Sequence, residues 1–357
     1  GVWGPGKAVA FNEGQEVFYP FFVTGLSSVS STGIGSCTAA GYVFTSRGNP
    51  TEAFTVTSTA GVWAKGAVAT YPEGTDNFFD DRFNAISCTS PGNCTAAGYF
   101  TIAGGLRQAM TQTSKNGVWA NTAPAVFDTA VSPSPPTPPS SEFRAISCTA
   151  PGTCTAVGQF TGVLPQVDGF GETTTGSGPF SQSSSKGTWD TAELALYENP
   201  ALWSLESSFD AVSCSSAGNC TAAGTYRGVG PIEQGGLTQT STNGVWAKSK
   251  VSGLPSGTQA NERVGLTSIS CSSAGNCSAG GYFYLPPPEP TDYGPIGHEP
   301  SPKDPDLNSK GFTQRLINTA NLTDTGIDPT WPLVLGFALI AAGSALVRRR
   351  RPQHRPA

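Results

Sequence analysis

One motif governs what this chain can fold into. FNAISCTSPGNCTAAGY, Phe83 to Tyr99, recurs in close copies at Phe143 (FRAISCTAPGTCTAVGQF), Phe209 (FDAVSCSSAGNCTAAGTY) and Leu266 (LTSISCSSAGNCSAGGYF), with a degenerate copy at Leu26 (LSSVSSTGIGSCTAAGYV). The second cysteine of each copy falls at 37, 94, 154, 220 and 277, a period of 57 to 66 residues. A period of that length is one supersecondary unit per repeat, and stacked units share a continuous core instead of folding as separate domains. A second signature, Gly-Val-Trp or Gly-Thr-Trp, ends at Trp63, Trp119, Trp189 and Trp246, and also at Trp3.

Each repeat thus holds four strand-like runs: one ending in the first cysteine, one starting at the second, one such as Ala109 to Thr113, and one carrying the tryptophan. With 44 glycines, 29 prolines and only 13% charged residues, short strands and turns are favoured over long helices. Four strands per unit is the plan of a propeller blade. The expected fold is all-β, a five-bladed β-propeller-like domain over residues 1–318, with repeats near 26–63, 83–119, 143–189, 209–246 and 266–318. The fifth repeat lacks its tryptophan. Either Val2-Trp3 completes that blade and closes the ring, or the array continues upstream. Segments rich in proline, such as Ser132 to Ser141 and Pro286 to Asp306, read as loops, and a short helix is expected around Ala192 to Ser207.

Nine cysteines supply four C-x5-C pairs: Cys88/Cys94, Cys148/Cys154, Cys214/Cys220 and Cys271/Cys277. The residues between them are turn formers, so each pair is expected to bridge a tight hairpin. Closing so small a ring stabilises by roughly 2 kcal/mol in the loop-entropy model. Cys37 is left as a free thiol, its partner position being Ser31. With only two histidines, His298 and His354, and no C-x2-C pair, no metal site is expected at the cysteines. Four bridges imply an oxidising, extracellular compartment. No cofactor is expected. The five arginines of the last ten residues leave −10 for the rest of the chain, which argues against nucleic-acid binding.

The C-terminal segment reads Leu322-Thr323-Asp324-Thr325-Gly326, then an apolar run from Trp331 to Val347, then Arg348 to Arg351. The run is long enough for a short transmembrane helix of about 25 Å, and the arginines place its end in the cytoplasm. This order of pentapeptide (319–330 with its linker), apolar span (331–347) and basic tail (348–357) resembles the LPxTG-type sorting signal of Gram-positive, here actinobacterial, surface proteins. The resemblance implies that a sortase recognises Leu322 to Gly326, cleaves Thr325–Gly326 and joins Thr325 to peptidoglycan. Thr323 stands where that family has proline. The alternative is a plain membrane anchor that is never cleaved.

The turns before the tryptophans, such as Ser114-Lys115-Asn116-Gly117-Val118-Trp119, resemble a shortened Asp box of sialidase-like propellers, without its aspartate. Arg82, Arg107, Arg144, Arg227 and Arg263 are scattered, and position in the repeat accounts for Arg82 and Arg144 better than catalysis does. Glu73, Asp76, Asp80 and Asp81 form an acidic loop that either is solvated or holds calcium. Tyr197, Trp203 and Phe209 either form a glycan-binding surface or close the core. The functional expectation is a cell-wall-anchored, cell-surface display or adhesion protein. Its expected partners are sortase, peptidoglycan, the membrane through its C-terminal helix, and an unidentified glycan or protein ligand, with no catalysis of its own. The alternatives are a secreted sialidase-like glycosidase and a purely structural wall protein.

Overall fold

Every copy of the motif folds as an antiparallel hairpin, and in the four copies with two cysteines these face each other across the ladder. In the computed structural model, residues 9–11, 25–44, 51–71, 80–102, 104–127, 140–167, 173–198, 204–228, 234–252, 264–273, 275–284, 309–317 and 322–323 are described. All regular structure among them is β-strand. The second repeat shows the pattern: Arg82–Ser90 pairs with Asn93–Ile102, which pairs with Leu106–Lys115, whose far edge takes Val118–Trp119 and Ala123–Pro124. The third and fourth repeats follow the same order and are joined into one sheet by a parallel bridge between Ser177 and Glu206.

The turns follow from the sequence. Asn116 and Gly117 take φ of 53° and 83°, as do Lys186-Gly187 and Asn243-Gly244 at similar values, which is the two-residue turn that matches strand twist. This turn backs onto the cysteine hairpin: Gly117 N–H donates to Gly92 O at 2.8 Å. A Cβ at Gly92 would lie 2.6 Å from Gly117 N, so the two turns need a glycine to meet. The cysteines form disulfides at Cys88–Cys94, Cys148–Cys154, Cys214–Cys220 and Cys271–Cys277, with Cα–Cα distances of 3.9 to 4.0 Å. Cys37 is free and sits opposite Ser31.

The second strand of a repeat is covered on both faces, which explains its small residues. Ala96 and Ala97 are both fully buried. Ala97 receives Phe143 and Ile146 of the next repeat, and Ala96 packs with Phe83, Ile86 and Met110 against Ala40 of the previous one. Burying each of the larger of these side chains, such as Phe143, Ile146 or Met110, contributes about 1.5–3 kcal/mol. Successive first strands lie side by side and share one polar link: Ser30, Ser87, Ser147 and Ser213 Oγ accept from the N–H of Cys88, Cys148, Cys214 and Cys271 at 2.9 to 3.1 Å. An aromatic from the preceding segment caps each of the first four repeats: Phe11 on Phe54, Tyr71 on Phe100, Phe127 on Phe160 and Tyr197 on Tyr226, at 5.0 to 6.1 Å.

The first repeat has an uncovered face. Leu26 is 55% and Val29 64% exposed, whereas Phe83, Phe143, Phe209 and Leu266, the counterparts of Leu26, are fully buried. The array is propeller-like, and among the described residues no strand closes a five-membered ring.

Three expectations change. The fourth strand of repeat five is supplied by Leu322–Thr323, the start of the pentapeptide. Leu322 pairs with Leu316, the register that Trp63 takes with Ser58 in repeat one. The compact unit accordingly runs from Gly1 to Thr323 and is followed by Asp324–Ala357. Where a helix was expected after Ala192, Glu193–Leu194 is a short strand on Ser181 and Phe180. Val2-Trp3, the span 331–347 and the tail 348–357 lie outside the described residues; among the described residues no helix is long and apolar enough to cross a membrane.

Candidate functional site

Across the repeats, two positions keep their geometry and change their chemistry. Just before Leu26, Phe83, Phe143, Phe209 and Leu266 on the first strands stand Gly25, Arg82, Glu142, Ser208 and Gly265, paired across the hairpin with Tyr42, Tyr99, Gln159, Thr225 and Tyr282. Just after it the register slips by one residue in every repeat, leaving Ser27, Asn84, Arg144, Asp210 and Thr267 outside the ladder. A bulge re-aims the extra side chain and is a common device beside functional sites. It also explains the glycine of CTAAGY: the bulge presses Glu142 O onto Gly158, leaving no room for a Cβ there. Gly41, Gly98, Gly224 and Gly281 meet the same restriction.

These side chains join into one row running from repeat one to repeat four. The Tyr42 ring lies over Gly25, whose Cβ, if present, would meet it at 2.6 Å. The Arg82 guanidinium stands 4.9 Å from the Tyr42 ring and 5.5 Å from the Tyr99 ring, and Arg107 covers Tyr99 at 4.3 Å. Arg107 Nη1 then donates to Glu142 Oε2 at 2.6 Å, and Arg144 Nε donates to Glu142 Oε1 at 2.8 Å. Arg144 Nη1 also donates to Asp210 Oδ1 at 2.8 Å and to Ser208 Oγ at 2.9 Å, and its Nη2 donates to Gln159 Oε1 at 2.6 Å. Asp210 Oδ2 accepts from Thr225 Oγ1 at 3.3 Å. Arg227 pairs with Glu206 at 3.2 Å at the exposed end.

The electrostatics follow from this arrangement. Burial works against the charge of Arg144, but Asp210 and Glu142 outweigh it and hold the guanidinium proton more tightly than usual. Burial pushes the Tyr99 phenol up, against the opposing charges of Arg107 and Arg82. The side chains of Arg107, Arg144 and Asp210 are 44%, 32% and 22% exposed, so the row is reachable from solvent. The opposite end of the repeats offers a crevice of about 390 Å³ between repeats one and two, lined by Thr38, Ser58, Cys88, Cys94, Asn116 and the free thiol Cys37, with no carboxylate, histidine, lysine or arginine.

Other candidates fall elsewhere. Phe209 is fully buried and Tyr197 is 5% exposed, so both belong to the core; Trp203 lies outside the described residues. Of the acidic loop, Glu73 and Asp76 lie outside them too. Asp80 accepts from Thr51 Oγ1 at 3.2 Å, and Asp81 is buried and accepts from Thr101 N–H at 2.8 Å. Among the described residues no group of three His, Cys, Asp or Glu side chains gathers. Of the pentapeptide only Leu322 and Thr323 are described; Asp324, Thr325 and Gly326, like Arg263, are not. Sequence reasoning passed over the row because Tyr42, Tyr99, Glu142 and Asp210 are far apart in the chain. The signal available to it was the two positions that vary while their neighbours repeat.

No family model matches the chain, and no curated protein does. Solved structures do. A neuraminidase-like protein from a flat-faced bat isolate from Peru matches at 9% identity and a TM-score of 0.38, over 89% of this chain and 96% of that one. An α-L-arabinanase from Penicillium chrysogenum matches at 8% and 0.36, over 73% and 94%. Levansucrase from Bacillus subtilis matches at 8% and 0.34, over 86% and 88%. At these values the likeness is to a strand plan and reaches no residue of the row. It does correct one expectation: the matched structures are mostly named as carbohydrate-active enzymes, so the exclusion of catalysis drawn from the sequence is withdrawn.

Proposed function

We propose that this is a carbohydrate-directed, propeller-like surface protein whose ligand lies along the row from Tyr42 to Asp210. The observation that carries this reading is the set of bulged, chemically varied positions on neighbouring first strands, which gathers guanidinium, carboxylate, amide and phenol groups at one solvent-reachable edge. Such a mixture of planar hydrogen-bonding groups and aromatic rings suits a polyhydroxylated ligand.

A specific observation favours glycoside hydrolysis as its activity. Glu142 and Asp210 are bound to the same guanidinium, that of Arg144, and a pair of carboxyls at one solvent-reachable site is what cleavage of a glycosidic bond uses. One carboxyl would protonate the leaving oxygen, and the other would attack the sugar carbon or activate water. The test is hydrolysis of a panel of aryl glycosides and polysaccharides by wild-type protein, E142Q and D210N, with binding of the same sugars measured in parallel. Turnover lost in both variants supports hydrolysis. Binding without turnover leaves a recognition module, and neither binding nor turnover overturns the reading.

The place of action we propose is the outer cell surface, with anchoring through Leu322 to Gly326 by a sortase to peptidoglycan. The support is the sequence order of pentapeptide, apolar run and arginines. The intact mass of protein released by muramidase from native walls checks this: a chain ending at Thr325 with a wall fragment supports it, and a chain retaining Gly326 to Ala357 refutes it.

A further inference from the structure

Of the four arginines in or beside the row, three have an acid partner: Arg107 and Arg144 hold Glu142, Arg144 also holds Asp210, and Arg227 holds Glu206. Arg82 has neither an ion pair nor a hydrogen-bond acceptor among the described residues, and its Nε is buried without a partner. The Tyr99 hydroxyl beside it is likewise buried and unpartnered, in a residue only 2% exposed. Two unmet buried polar groups side by side call for an explanation.

The surroundings hold Arg82 in place without neutralising it. Gly25 admits the Tyr42 ring, the guanidinium lies near both the Tyr42 and Tyr99 rings, and Arg107 also lies over Tyr99. With two rings beside it and no acceptor on it among the described residues, the part of the guanidinium left unmet is its edge of in-plane N–H donors. That edge matches a planar carboxylate in two parallel hydrogen bonds. From Arg82 to Asp210 the row carries three guanidiniums and two carboxylates, so one further anion balances it.

We infer that Arg82 is an anion subsite of the row and that the ligand is a carboxylate-bearing saccharide of the uronic acid class. This inference rests on the carbohydrate reading above. Gly25 and Tyr42 act as positioning residues, holding the guanidinium edge ready.

The experiment is calorimetric titration of the full chain with tetragalacturonate, a neutral xylotetraose control, and sulfate as a bare anion, for wild type, R82Q, R82K and Gly25→Ala. Thermal midpoints are measured alongside to confirm folding. The expected result is that tetragalacturonate binds and weakens with added salt, that xylotetraose and sulfate bind far more weakly, and that R82Q loses on the order of tenfold or more in affinity. R82K should recover little of it, because a point charge lacks the two-pronged edge. Gly25→Ala should weaken binding with no charge removed. Equal binding of the acidic and neutral sugars, sulfate binding as tight as the oligomer, or an R82Q protein that binds as wild type does would overturn the subsite while leaving the carbohydrate reading. Failure of every saccharide would overturn both.

Discussion

Asp81 offers a measurement in which the structure sets both sign and size. The carboxyl is 1% exposed, beside Tyr71, with Thr101 N–H at 2.8 Å from Oδ1. Burial first, and then the charges of Glu52 and Asp80, push its pKa up to about 7, against the lowering effects of Thr101 N–H and Tyr71. An unfolded aspartate titrates near about 3.9. The folded value is therefore the higher one, so the fold binds this proton more tightly than the unfolded chain does. Its contribution is complete below about pH 4 and is lost as pH rises through about 7. Three units at about 1.4 kcal/mol each give roughly 4 kcal/mol as the full span. The perturbation is Asp81→Asn, which keeps the shape and the acceptor for Thr101 and removes the titration. The assay is urea unfolding of both proteins, disulfides intact, from about pH 3.5 to 8.5. The stability of wild type minus that of D81N should fall by a few kcal/mol across that range, with most of the change between about pH 4 and 7. A difference that stays flat to within about 0.5 kcal/mol would refute the buried, proton-holding Asp81.

Other outcomes follow from the same packing. Gly158→Ala drives a methyl into Glu142 O at the bulge, and it should destabilise by about 3 kcal/mol or more and lower sugar binding together with thermal midpoint. Leu266→Ala should cost about 2–5 kcal/mol, whereas Leu26→Ala, at the same repeat position but 55% exposed, should cost well under 1 kcal/mol; equal losses would show that the face of repeat one is covered in solution. Replacing the Cys271–Cys277 pair by serines should lower stability by roughly 2 kcal/mol in denaturant titration, with the other three bridges intact by mass.

The sequence by itself determined the unit and its local geometry. The period, the cysteine pairs and the Asn-Gly turn state the hairpins, the disulfides and the four-stranded repeat, because each depends on residues near one another in the chain. The Gly of CTAAGY was visible as a repeated letter, but its reason, a bulge pressing a carbonyl onto it, required the register. Only the tertiary structure decided the rest. Arg82, Glu142 and Asp210 come from successive units, Arg82 and Glu142 just before the first-strand phenylalanine and Asp210 just after it, and the row joins them only because first strands lie side by side. The same stacking left Leu26 exposed while burying Leu266, and it put Leu322 where earlier repeats place tryptophan. A repeat specifies its own strands through local pattern. What its variable positions do is settled by which neighbour each one faces.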